Sequence, residues 1–483
     1  MNLLIITTDQ QRIDSLGTYG SPLCRTPALD QLTASGTRFD QAYSVCALCS
    51  PARASWHTGI YPHRHGIVTN GREFNEGVQL VSEDLTAAGY RCGFVGKWHC
   101  GNEKLPRDFG FEGMNLPGYG DCGQSLEYQE YLRRNGLAQG SIEPEGAGFY
   151  ESILLSGVTT GPVEATVPYF VAEQTIEMLD AYAQDNNPFA IFANFWGPHP
   201  PYVPCEPFAS MYDSEKIAAW GNFDDTLESK PHAHRRYRDS FLGEGTLRTW
   251  EEWSTWVARY FGTVTMIDAQ IGRIMAALDR LGLTQDTAVL FTTDHGDHIG
   301  AHGGIFDKDA MMYQETYHIP FILRLPGLEG GGTINQPITS LDIAPTLLDL
   351  AGIDPGRPLD GRSLVPLLAD GIADWEPDVY CVFNGHYLSY QSRMVTDGSY
   401  KYVFNAPDID ELYDLEADPW EMRNLIAQPE HRQVLHDMRL RLLTWAERTQ
   451  DPLLGNLKDL FARRQQVEPE AFTPWPGRWR SQH

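Results

Sequence analysis

The apolar positions of the chain fall into short continuous runs, and each run is followed by polar residues or a turn. Runs of four to eight apolar and β-branched residues are typical of strands that are covered on both faces. The clearest are Asn2–Thr8, Cys92–Val95, Phe189–Phe195, Ala288–Thr293 and Pro320–Leu325. Between them lie stretches with apolar residues at helical spacing: Thr26–Gly36, Val167–Ala183 and Trp256–Leu281. This alternation predicts an α/β fold, with a large mixed, mostly parallel sheet sandwiched by helices.

The pattern changes after residue 370. An Asp370-Gly371 turn and Pro377 favour a boundary there, so we predict a large N-terminal domain over residues 1–371 and a C-terminal subdomain over residues 372–483. The subdomain is predicted to be a smaller α+β unit of short antiparallel strands and a helix: Val379–Phe383, Arg393–Val395, Tyr400–Phe404 and about 429–448. The tail, Pro474–Trp479, could pack on a neighbouring subunit, which leaves a homo-oligomer open.

Two long stretches carry no regular pattern, Leu105–Pro162 and Pro200–Thr249. Long irregular segments in compact domains are usually lids or pocket walls. We therefore expect both stretches to line the substrate pocket, where their Tyr, Trp and Arg residues would suit a sugar or an aromatic ring equally well.

Charge argues against two classes of partner. The chain of 483 residues has 37 Lys and Arg against 64 Asp and Glu, a net charge of −27. Such a surface repels phosphate backbones and anionic lipid, so we expect neither a nucleic acid nor a membrane as partner. No apolar run approaches the roughly 18 residues that a membrane span needs. An anionic substrate would have to meet cations that are concentrated in its site.

Two further patterns concern the compartment. Met1 leads directly into the first predicted strand, without a basic and apolar leader, so we expect a cytoplasmic protein. The eight cysteines are scattered and form no dense framework, which favours free thiols in a reducing environment.

Polar side chains that could hold a metal follow two of the predicted strands. Asp9 and Gln10 come after the first strand, and Asp294 and His295 follow the strand at Ala288–Thr293. Ligands bind at the carboxyl ends of strands in open α/β sheets. Two carboxylates, an amide oxygen and an imidazole suit a divalent cation. An Asp after a strand often only caps the next helix, but two such pairs favour a shared metal site.

A third cluster contains two cysteines, Cys46 and Cys49. Cys-x-x-Cys can be a redox pair or half of a zinc site, but the sequence has no second such motif. The segment Cys49–Arg53 carries a stronger signal, because Cys-x-Pro-x-Arg is the sequence in which a cysteine is oxidised to the aldehyde formylglycine. A fourth cluster, Gly96–His99, follows another strand and adds a cation and an imidazole.

In their order along the chain these motifs resemble the sulfatase family, within the alkaline-phosphatase-like superfamily. The resemblance covers almost the whole chain and includes Gly197–Tyr202, Lys308, Glu411–Leu415 and Asp418-Pro419. It implies that a formylglycine-generating enzyme oxidises Cys49. It also implies a site for calcium, with Mn²⁺ or another divalent cation as the alternative, whose ligands are Asp9, Gln10, Cys49, Asp294 and His295.

The chemistry of an aldehyde fits hydrolysis of a sulfate ester. The hydrated aldehyde is a geminal diol, and a divalent cation lowers the pKa of one hydroxyl. That oxygen attacks sulfur and expels the alcohol. Deprotonation of the second hydroxyl then releases sulfate and restores the aldehyde. A serine would instead form a sulfate ester without a second hydroxyl, so it would lack this route for releasing sulfate.

Chemistry and the resemblance together assign roles to five residues. We expect Arg53 to hydrogen-bond the nucleophile and offset its charge. Lys97 and Lys308 are expected to hold sulfate oxygens. We expect His99 to be the base and His199 to contact the leaving group.

The remaining histidines have weaker signals. His298 and His302 flank the predicted metal loop, and either support of the metal or an ordinary polar role stays open for them. The others considered are expected to be ordinary polar residues: His63, His65, His232, His234, His386, His431 and His436.

One departure from the family pattern opens an alternative. Many members have two acids where this chain has Asp9-Gln10, and the combination with His295 resembles choline sulfatases and phosphonate monoester hydrolases. The alternative function is therefore hydrolysis of phosphonate monoesters or phosphodiesters by the same nucleophile. Lys97 and His99 favour a sulfatase, because that hydrolase group typically has neutral hydroxyl residues there.

A third hypothesis is an inactive binding protein that keeps the fold. The complete set of expected catalytic residues argues against it. We therefore expect a small-molecule sulfate ester as substrate, either a small sulfated carbohydrate or an aryl or alkyl sulfate.

Overall fold

The computed structural model describes residues 1–466 except 118–121, 146–148, 151–152, 186, 243–248 and 371–374. The strands are, in chain order, β1 (Asn2–Asp9), β2 (Thr37–Phe39), β3 (Ala42–Tyr43), β4 (Arg91–Lys97), β5 (Glu112–Leu116), β6 (Ile142–Pro144), β7 (Phe149–Tyr150), β8 (Ile153–Leu154), β9 (Gly157–Thr159), β10 (Phe189–Pro198), β11 (Thr287–Thr293), β12 (Phe321–Arg324), β13 (Gly332–Ile334), β14 (Ile338–Thr339), β15 (Val379–Phe383), β16 (Gln391–Thr396), β17 (Tyr400–Ala406) and β18 (Glu411–Asp414).

The helices are, in the same order, α1 (Pro27–Ala34), α2 (Cys49–Thr58), α3 (Pro62–His65), α4 (Val81–Ala87), α5 (Leu126–Arg134), α6 (Val167–Tyr182), α7 (His232–Leu242), α8 (Trp250–Arg280), α9 (Ala301–Gly304), α10 (Gln314–Tyr317), α11 (Ile343–Leu350), α12 (Val365–Asp370), α13 (Arg432–Arg448) and α14 (Leu454–Gln466). Among the described residues, none of these helices combines the length and the apolar character that a membrane crossing requires.

The main sheet has eight strands in the order β13-β2-β12-β11-β1-β10-β4-β5. Strand β1 lies parallel to β10 on one side and to β11 on the other. The pairs β10–β4 and β4–β5 are also parallel, whereas β12 runs antiparallel to both β11 and β2. The prediction of a large mixed, mostly parallel sheet is therefore confirmed.

The residues of β1 explain how this sheet is covered. Successive side chains of a strand point to opposite faces. Leu3 and Ile5 belong to one core, which α2, α4 and α11 complete. Leu4 and Ile6 belong to a second core, which α1, α6 and α8 complete. Because both faces are buried, the strand is a continuous apolar run rather than an alternating one.

A second, smaller sheet contains the antiparallel strands β15 to β18. Helices α13 and α14 cover it through a core that includes Leu442, Trp445 and Phe461. The smaller C-terminal α+β unit is thus confirmed. The predicted boundary at residue 371 and the tail Pro474–Trp479 lie outside the described residues, so the two-domain division and the packing of the tail stay predictions.

Both stretches that the sequence predicts to be irregular contain regular elements. Strand β5 and helix α5 lie within the first stretch, and α7 lies within the second. Strand β5 carries Glu, Gly and Asn, so it lacks the apolar run of a central strand, and it forms one edge of the main sheet. Helix α8 begins earlier than the predicted Trp256, because Glu252 Oε2 accepts a hydrogen bond from the Thr249 N–H and caps the helix.

Candidate active site

The carboxyl ends of neighbouring strands converge at one edge of the main sheet. Asp9 ends β1, Asp294 follows β11, and Lys97 ends β4. The parallel register pairs Thr8 with Thr293, so Asp9 and Asp294 leave the sheet side by side. Two of the residue pairs that the sequence singles out for a metal are therefore adjacent in the structure.

Arg53, on α2, bridges the two carboxylates. Its Nε donates to Asp294 Oδ2 at 3.0 Å, and its Nη2 donates to Asp9 Oδ2 at 2.9 Å. Its Nη1 donates to the backbone oxygen of Lys97 at 2.9 Å. All these groups are buried, and buried charges need such partners to offset their desolvation. Because Arg53 engages Oδ2 of both carboxylates, Oδ1 of each is left for other partners.

The other acceptor atoms gather around Cys49, the first residue of α2 and only 1% exposed. Its Sγ lies 3.8 Å from Asp9 Oδ1 and 3.3 Å from His295 Nε2. His295 Nε2 also lies 3.7 Å from Asp294 Oδ1. His295 Nδ1 lies 2.9 Å from the backbone oxygen of Gly296. Since a carbonyl oxygen only accepts, Nδ1 carries the proton and Nε2 presents a lone pair.

This donor set fits a divalent cation. One ligand atom from each of Asp9, Cys49, Asp294 and His295 lies within 4.8 Å of the others. The set comprises two carboxylate oxygens, an imidazole lone pair and a sulfur. Negative and lone-pair atoms at this range repel one another unless a cation lies between them. The residues present therefore suit the metal that the sequence predicts.

Gln10 has a different set of partners. Its backbone N–H donates to Asp294 Oδ1 at 3.0 Å. Its Nε2 donates to Asp297 Oδ2 at 2.9 Å and to Asp307 Oδ1 at 2.8 Å. Its Oε1, the atom that would bind a metal, accepts from Lys308 Nζ at 2.7 Å. A metal role for Gln10 stays a prediction, because Lys308 would have to share or release that oxygen.

Lys97 and His99 lie at the end of β4 and just beyond it. Lys97 Nζ is 2.6 Å from Asp9 Oδ2 and 4.0 Å from the centre of the Trp196 ring. Burial alone would raise the pKa of Asp9, but the charges of Lys97 and Arg53 outweigh it and hold that pKa well below its usual value. Burial, together with the charge of Lys97, lowers the pKa of His99 far below the ordinary value. His99 is therefore a neutral imidazole.

Lys308 and His199 lie side by side, with Nζ 3.4 Å from His199 Nε2. His199 Nδ1 lies 2.7 Å from the backbone oxygen of Pro200, so Nδ1 carries a proton and Nε2 faces the lysine. Burial opposes the charge of Lys308, but Asp307, 2.8 Å away, outweighs it and raises the pKa of Lys308 well above its usual value. The site thus gathers cations within a protein of net charge −27.

Other polar residues lie at the site without having been predicted there: Asn70, Trp196, Tyr202, Asp297, Asp307, Asp309 and His386. Asp307 and Asp309 lie on either side of Lys308 in the sequence. That position beside a predicted site residue is the sequence signal that could have pointed to these two acids. The Tyr202 hydroxyl donates a hydrogen bond to Asp297 Oδ2 at 2.5 Å, and the same oxygen accepts from Gln10 Nε2. His386, expected to be an ordinary polar residue, lies 3.2 Å from Asp309 Oδ2.

The two undecided histidines belong to a separate buried network. His302 Nδ1 lies 2.9 Å from Asp225 Oδ2, and its Nε2 lies 3.3 Å from Glu315 Oε2. The ring of His298 lies 6.2 Å from that of His302. Lys230 is paired with Asp225 in the same network.

His302, Glu315 and Glu421 also have the donor types of a metal site. Lys401 is paired with Glu421, however, and Glu315 Oε2 lies 3.3 Å from His302 Nε2, so both acids already have partners within the network. The network is therefore a set of buried ion pairs that joins the segment after β11 to the second sheet.

Comparison with known proteins identifies the family. The family model described as Sulfatase matches residues 1–353, which is well over half of the chain. The chain belongs to the sulfatase family. A second family model, described as N-sulphoglucosamine sulphohydrolase, C-terminal, matches residues 300–448 of this sulfatase.

Relatives match the sulfatase along most of its length. It is 28% identical over 499 residues to the uncharacterized sulfatase YidJ of Escherichia coli (strain K12), with 98% of this chain and 93% of the relative covered. It is 29% identical over 452 residues to a choline-sulfatase of Rhizobium meliloti (strain 1021), with 89% and 83% covered.

Solved structures agree with the family. The phosphonate monoester hydrolase SpPMH from Silicibacter pomeroyi superposes with a TM-score of 0.79 at 26% identity, with 94% of this chain and 96% of that chain covered. The family match and the named sulfatases among the relatives confirm a sulfuric ester hydrolase of the alkaline-phosphatase-like superfamily.

Proposed function

We propose that this sulfatase hydrolyses a small sulfate ester, R–O–SO₃⁻ + H₂O → R–OH + SO₄²⁻ + H⁺, with a formylglycine made from Cys49 and a bound divalent cation. The convergence of acceptor atoms from Asp9, Asp294 and His295 on the Sγ of Cys49 carries the proposal. The alcohol is part of a small carbohydrate or an aryl or alkyl group. Calcium is the proposed ion, and Mn²⁺ or another divalent cation is the alternative.

Asp9, Asp294, His295 and the oxidised Cys49 would hold the cation, and Gln10 is the further predicted ligand. When both groups are present, they supply an oxygen nucleophile of lowered pKa at the position of the Cys49 side chain.

The surrounding cations prepare the site for an anion. Arg53 holds Asp9 and Asp294 in place and adds a positive charge beside the nucleophile. Lys97 and Lys308 are buried, and fixed charges act strongly where water is excluded. We assign both lysines to the sulfate oxygens and to the charge that develops on the ester oxygen.

Two histidines handle protons. We assign His99, a neutral imidazole two residues beyond Lys97 at the end of β4, as the base that accepts the proton needed to release sulfate. We assign His199 to the leaving group: its Nε2, the nitrogen beside Lys308, would take up a proton and donate it to the departing alcohol oxygen.

The test uses protein co-expressed with a formylglycine-generating enzyme, the maturation partner that we propose. We expect wild type to turn over 4-nitrophenyl sulfate and Cys49→Ala to lose all turnover while keeping its fold. Cys46→Ala is the matched control, because Cys46 is also buried and lies three residues before Cys49 in sequence. The mass of the peptide that contains Cys49 reports its oxidation. Turnover that survives in Cys49→Ala would overturn the assignment of the nucleophile.

The second candidate function is hydrolysis of phosphonate monoesters or phosphodiesters. The likeness to a phosphonate monoester hydrolase, with a TM-score of 0.79, favours it. A parallel assay with a phenylphosphonate monoester separates the two. We expect the sulfate ester to be preferred, and a preference for the phosphonate would assign the protein to the alternative.

We also propose that the enzyme works in a reducing compartment, the cytoplasm. All eight cysteines are buried and unbridged, although secreted proteins commonly pair theirs. Fractionation of cells that express the tagged full chain should recover it with cytoplasmic markers, and recovery with secreted proteins would contradict this location.

A further inference from the structure

A loop of the second sheet reaches the reaction centre. It joins β15 to β16 over residues 384–390. Within it, His386 Nδ1 lies 3.2 Å from Asp309 Oδ2, and the Tyr387 N–H donates to the same oxygen at 3.1 Å. Asp309 is buried and directly follows Lys308. The loop is therefore fixed one residue away from a lysine that we assign to the sulfate.

A second contact ties His386 to the nucleophile helix. His386 Nε2 lies 3.5 Å from Asn70 Nδ2. Asn70 Oδ1 accepts from the Ser50 N–H at 3.0 Å, and Ser50 follows Cys49 at the start of α2. The imidazole thus stands between the segment of Lys308 and the helix that carries the nucleophile.

Exposure to solvent rises along this series of contacts. Asp309 is fully buried, the side chain of His386 is 17% exposed, and Tyr387 is 62% exposed. The rings of His386 and Tyr387 lie 4.1 Å apart between centroids. Partial burial and the charge of Asp307 raise the pKa of the Tyr387 hydroxyl, and Lys308 opposes them, so the hydroxyl lies within electrostatic range of the acid and the lysine. Tyr387 therefore stands where the site meets solvent.

We propose that Tyr387 determines specificity by packing against a cyclic leaving group, a sugar or aryl ring, and that His386 positions it. This rests on the proposed function, because it names the alcohol part of the ester. Aromatic side chains contribute a large, flat contact surface at little cost in conformational entropy.

Binding in the Cys49→Ala background tests this directly, because the result does not depend on oxidation or turnover. Calorimetry with the divalent cation present would give Kd for 4-nitrophenyl sulfate, for ethyl sulfate and for inorganic sulfate. We expect Tyr387→Ala to weaken binding of 4-nitrophenyl sulfate by about five- to tenfold. Ethyl sulfate and inorganic sulfate should stay within about twofold, since they lack the ring.

Two variants serve as controls. Tyr387→Phe keeps the ring and should bind 4-nitrophenyl sulfate as the background protein does. Tyr400→Ala removes a tyrosine at the start of β17 in the same sheet and should change no Kd.

His386 needs a measurement that separates positioning from general stability. His386→Ala should weaken 4-nitrophenyl sulfate selectively, and His386→Asn, which keeps a donor for Asp309, should restore part of the affinity. The double variant with Tyr387→Ala should bind no more weakly than either single variant, since both changes remove the same contact.

The outcomes are distinct for the two proposals. Unchanged binding of 4-nitrophenyl sulfate in Tyr387→Ala, or equal weakening of all three ligands, would overturn the role of Tyr387. Selective weakening together with no turnover by the oxidised wild type would leave the ring contact in place and overturn the proposed hydrolysis.

Discussion

Arg53 is the single residue that organises the reaction centre most. Its guanidinium donates in three directions, to Asp294, Asp9 and the carbonyl of Lys97, at 2.9 to 3.0 Å. The planar, forked shape of the group makes this possible, and one ammonium cannot span the same acceptors. The sequence predicted Arg53 beside the nucleophile, but its bridge between two strand ends depends on residues 241 positions away.

Arg53→Lys should therefore not be conservative. We expect kcat for 4-nitrophenyl sulfate to fall about 100-fold or more, because the two carboxylates lose their fixed geometry. The kcat is measured in protein with matched oxidation of Cys49. Arg64→Lys is the control, since Arg64 pairs with Asp360 in a partly exposed position, and its kcat should stay within about twofold. An Arg53→Lys variant with wild-type kcat would contradict the bridging role.

Gln10 shows where reasoning from the sequence reached its limit. The sequence predicts Gln10 as a metal ligand, which stays a prediction, and its amide has partners 287 and 297 positions away that no local pattern reports. Its Nε2 donates hydrogen bonds to both Asp297 and Asp307, and an ionised carboxylate at this position could donate neither.

Gln10→Glu should make the chelated protein less stable and more sensitive to pH. The new carboxylate would face two others, so its folded pKa should rise above the unfolded value of about 4.3. A raised folded pKa means that stability is highest below that value and is lost as the pH rises. We expect the drop in Tm relative to wild type to be larger at pH 8 than at pH 5 in differential scanning calorimetry. Equal stability at both pH values would show that Asp297 and Asp307 do not need the amide.

At the scale of elements, patterns in the sequence marked the strands that are covered on both faces. The runs that predicted β1, β4, β10, β11 and β12 exist because these strands lie inside the main sheet. The edge strand β5 has exposed polar residues and gave no such run. No sequence pattern indicated that the β15–β16 loop reaches the site, because His386 contacts Asp309 and Asn70, which are 77 and 316 positions away in the sequence.

A buried ion pair ties the second sheet to its helices. Arg393, on β16, donates from Nε to Asp451 Oδ2 at 2.7 Å and from Nη2 to Asp451 Oδ1 at 3.1 Å. The same Nη2 donates to Asn384 Oδ1 at 3.0 Å, at the base of the loop that carries Tyr387. The pair therefore supports both the core of the sheet and one wall of the site.

Arg393→Met should lower the free energy of unfolding of the second sheet by about 3–5 kcal/mol, because Asp451 would stay buried without its partner. Urea denaturation followed by tryptophan fluorescence would measure it. The matched control is Arg448→Met, whose pair with Glu376 is 49% and 34% exposed, and which should cost less than about 1 kcal/mol. Equal losses in the two variants would contradict the role of burial.

The same pair makes a prediction about pH. Burial alone would raise the pKa of Asp451, but Arg393 outweighs it and holds that pKa below the usual value. A lowered folded pKa means that the pair stabilises the fold above the unfolded value of about 3.9 and loses this effect as the pH falls. The difference between wild type and Arg393→Met should therefore shrink as the pH falls from 7 toward 3.

At the scale of the whole molecule, the reaction centre lies where distant parts of the chain meet. Strands β1 and β11 adjoin in the sheet, and their terminal carboxylates come together only in the complete fold. The order and type of the motifs were enough to recognise the family, because each motif is a short stretch of consecutive residues. The distances within the site needed the structure, because they depend on how the strands are ordered.

Removal of the proposed cation should therefore affect the whole fold and not activity alone. We expect a strong chelator to lower Tm on the order of 5 °C, because a ligand bound only by the native state stabilises it. In Asp294→Asn the shift should nearly vanish, since one charged ligand is lost. Calorimetry with and without chelator measures both. A shift of equal size in Asp294→Asn would place the cation elsewhere.

The burial of Cys49 has a consequence for how the enzyme is made. Every residue of α2 is buried, so the folded protein keeps the thiol out of reach of another enzyme's active site. The oxidation that we propose has to take place on a chain that is still unfolded. His295, which closes the surroundings of the sulfur, is 246 positions further along the chain. A ribosome that adds about 5–20 residues per second needs about 12–50 s to reach it. The time between synthesis of Cys49 and synthesis of His295 thus sets how long Cys49 stays accessible for oxidation. Slower translation beyond residue 49 should therefore raise the fraction of active enzyme.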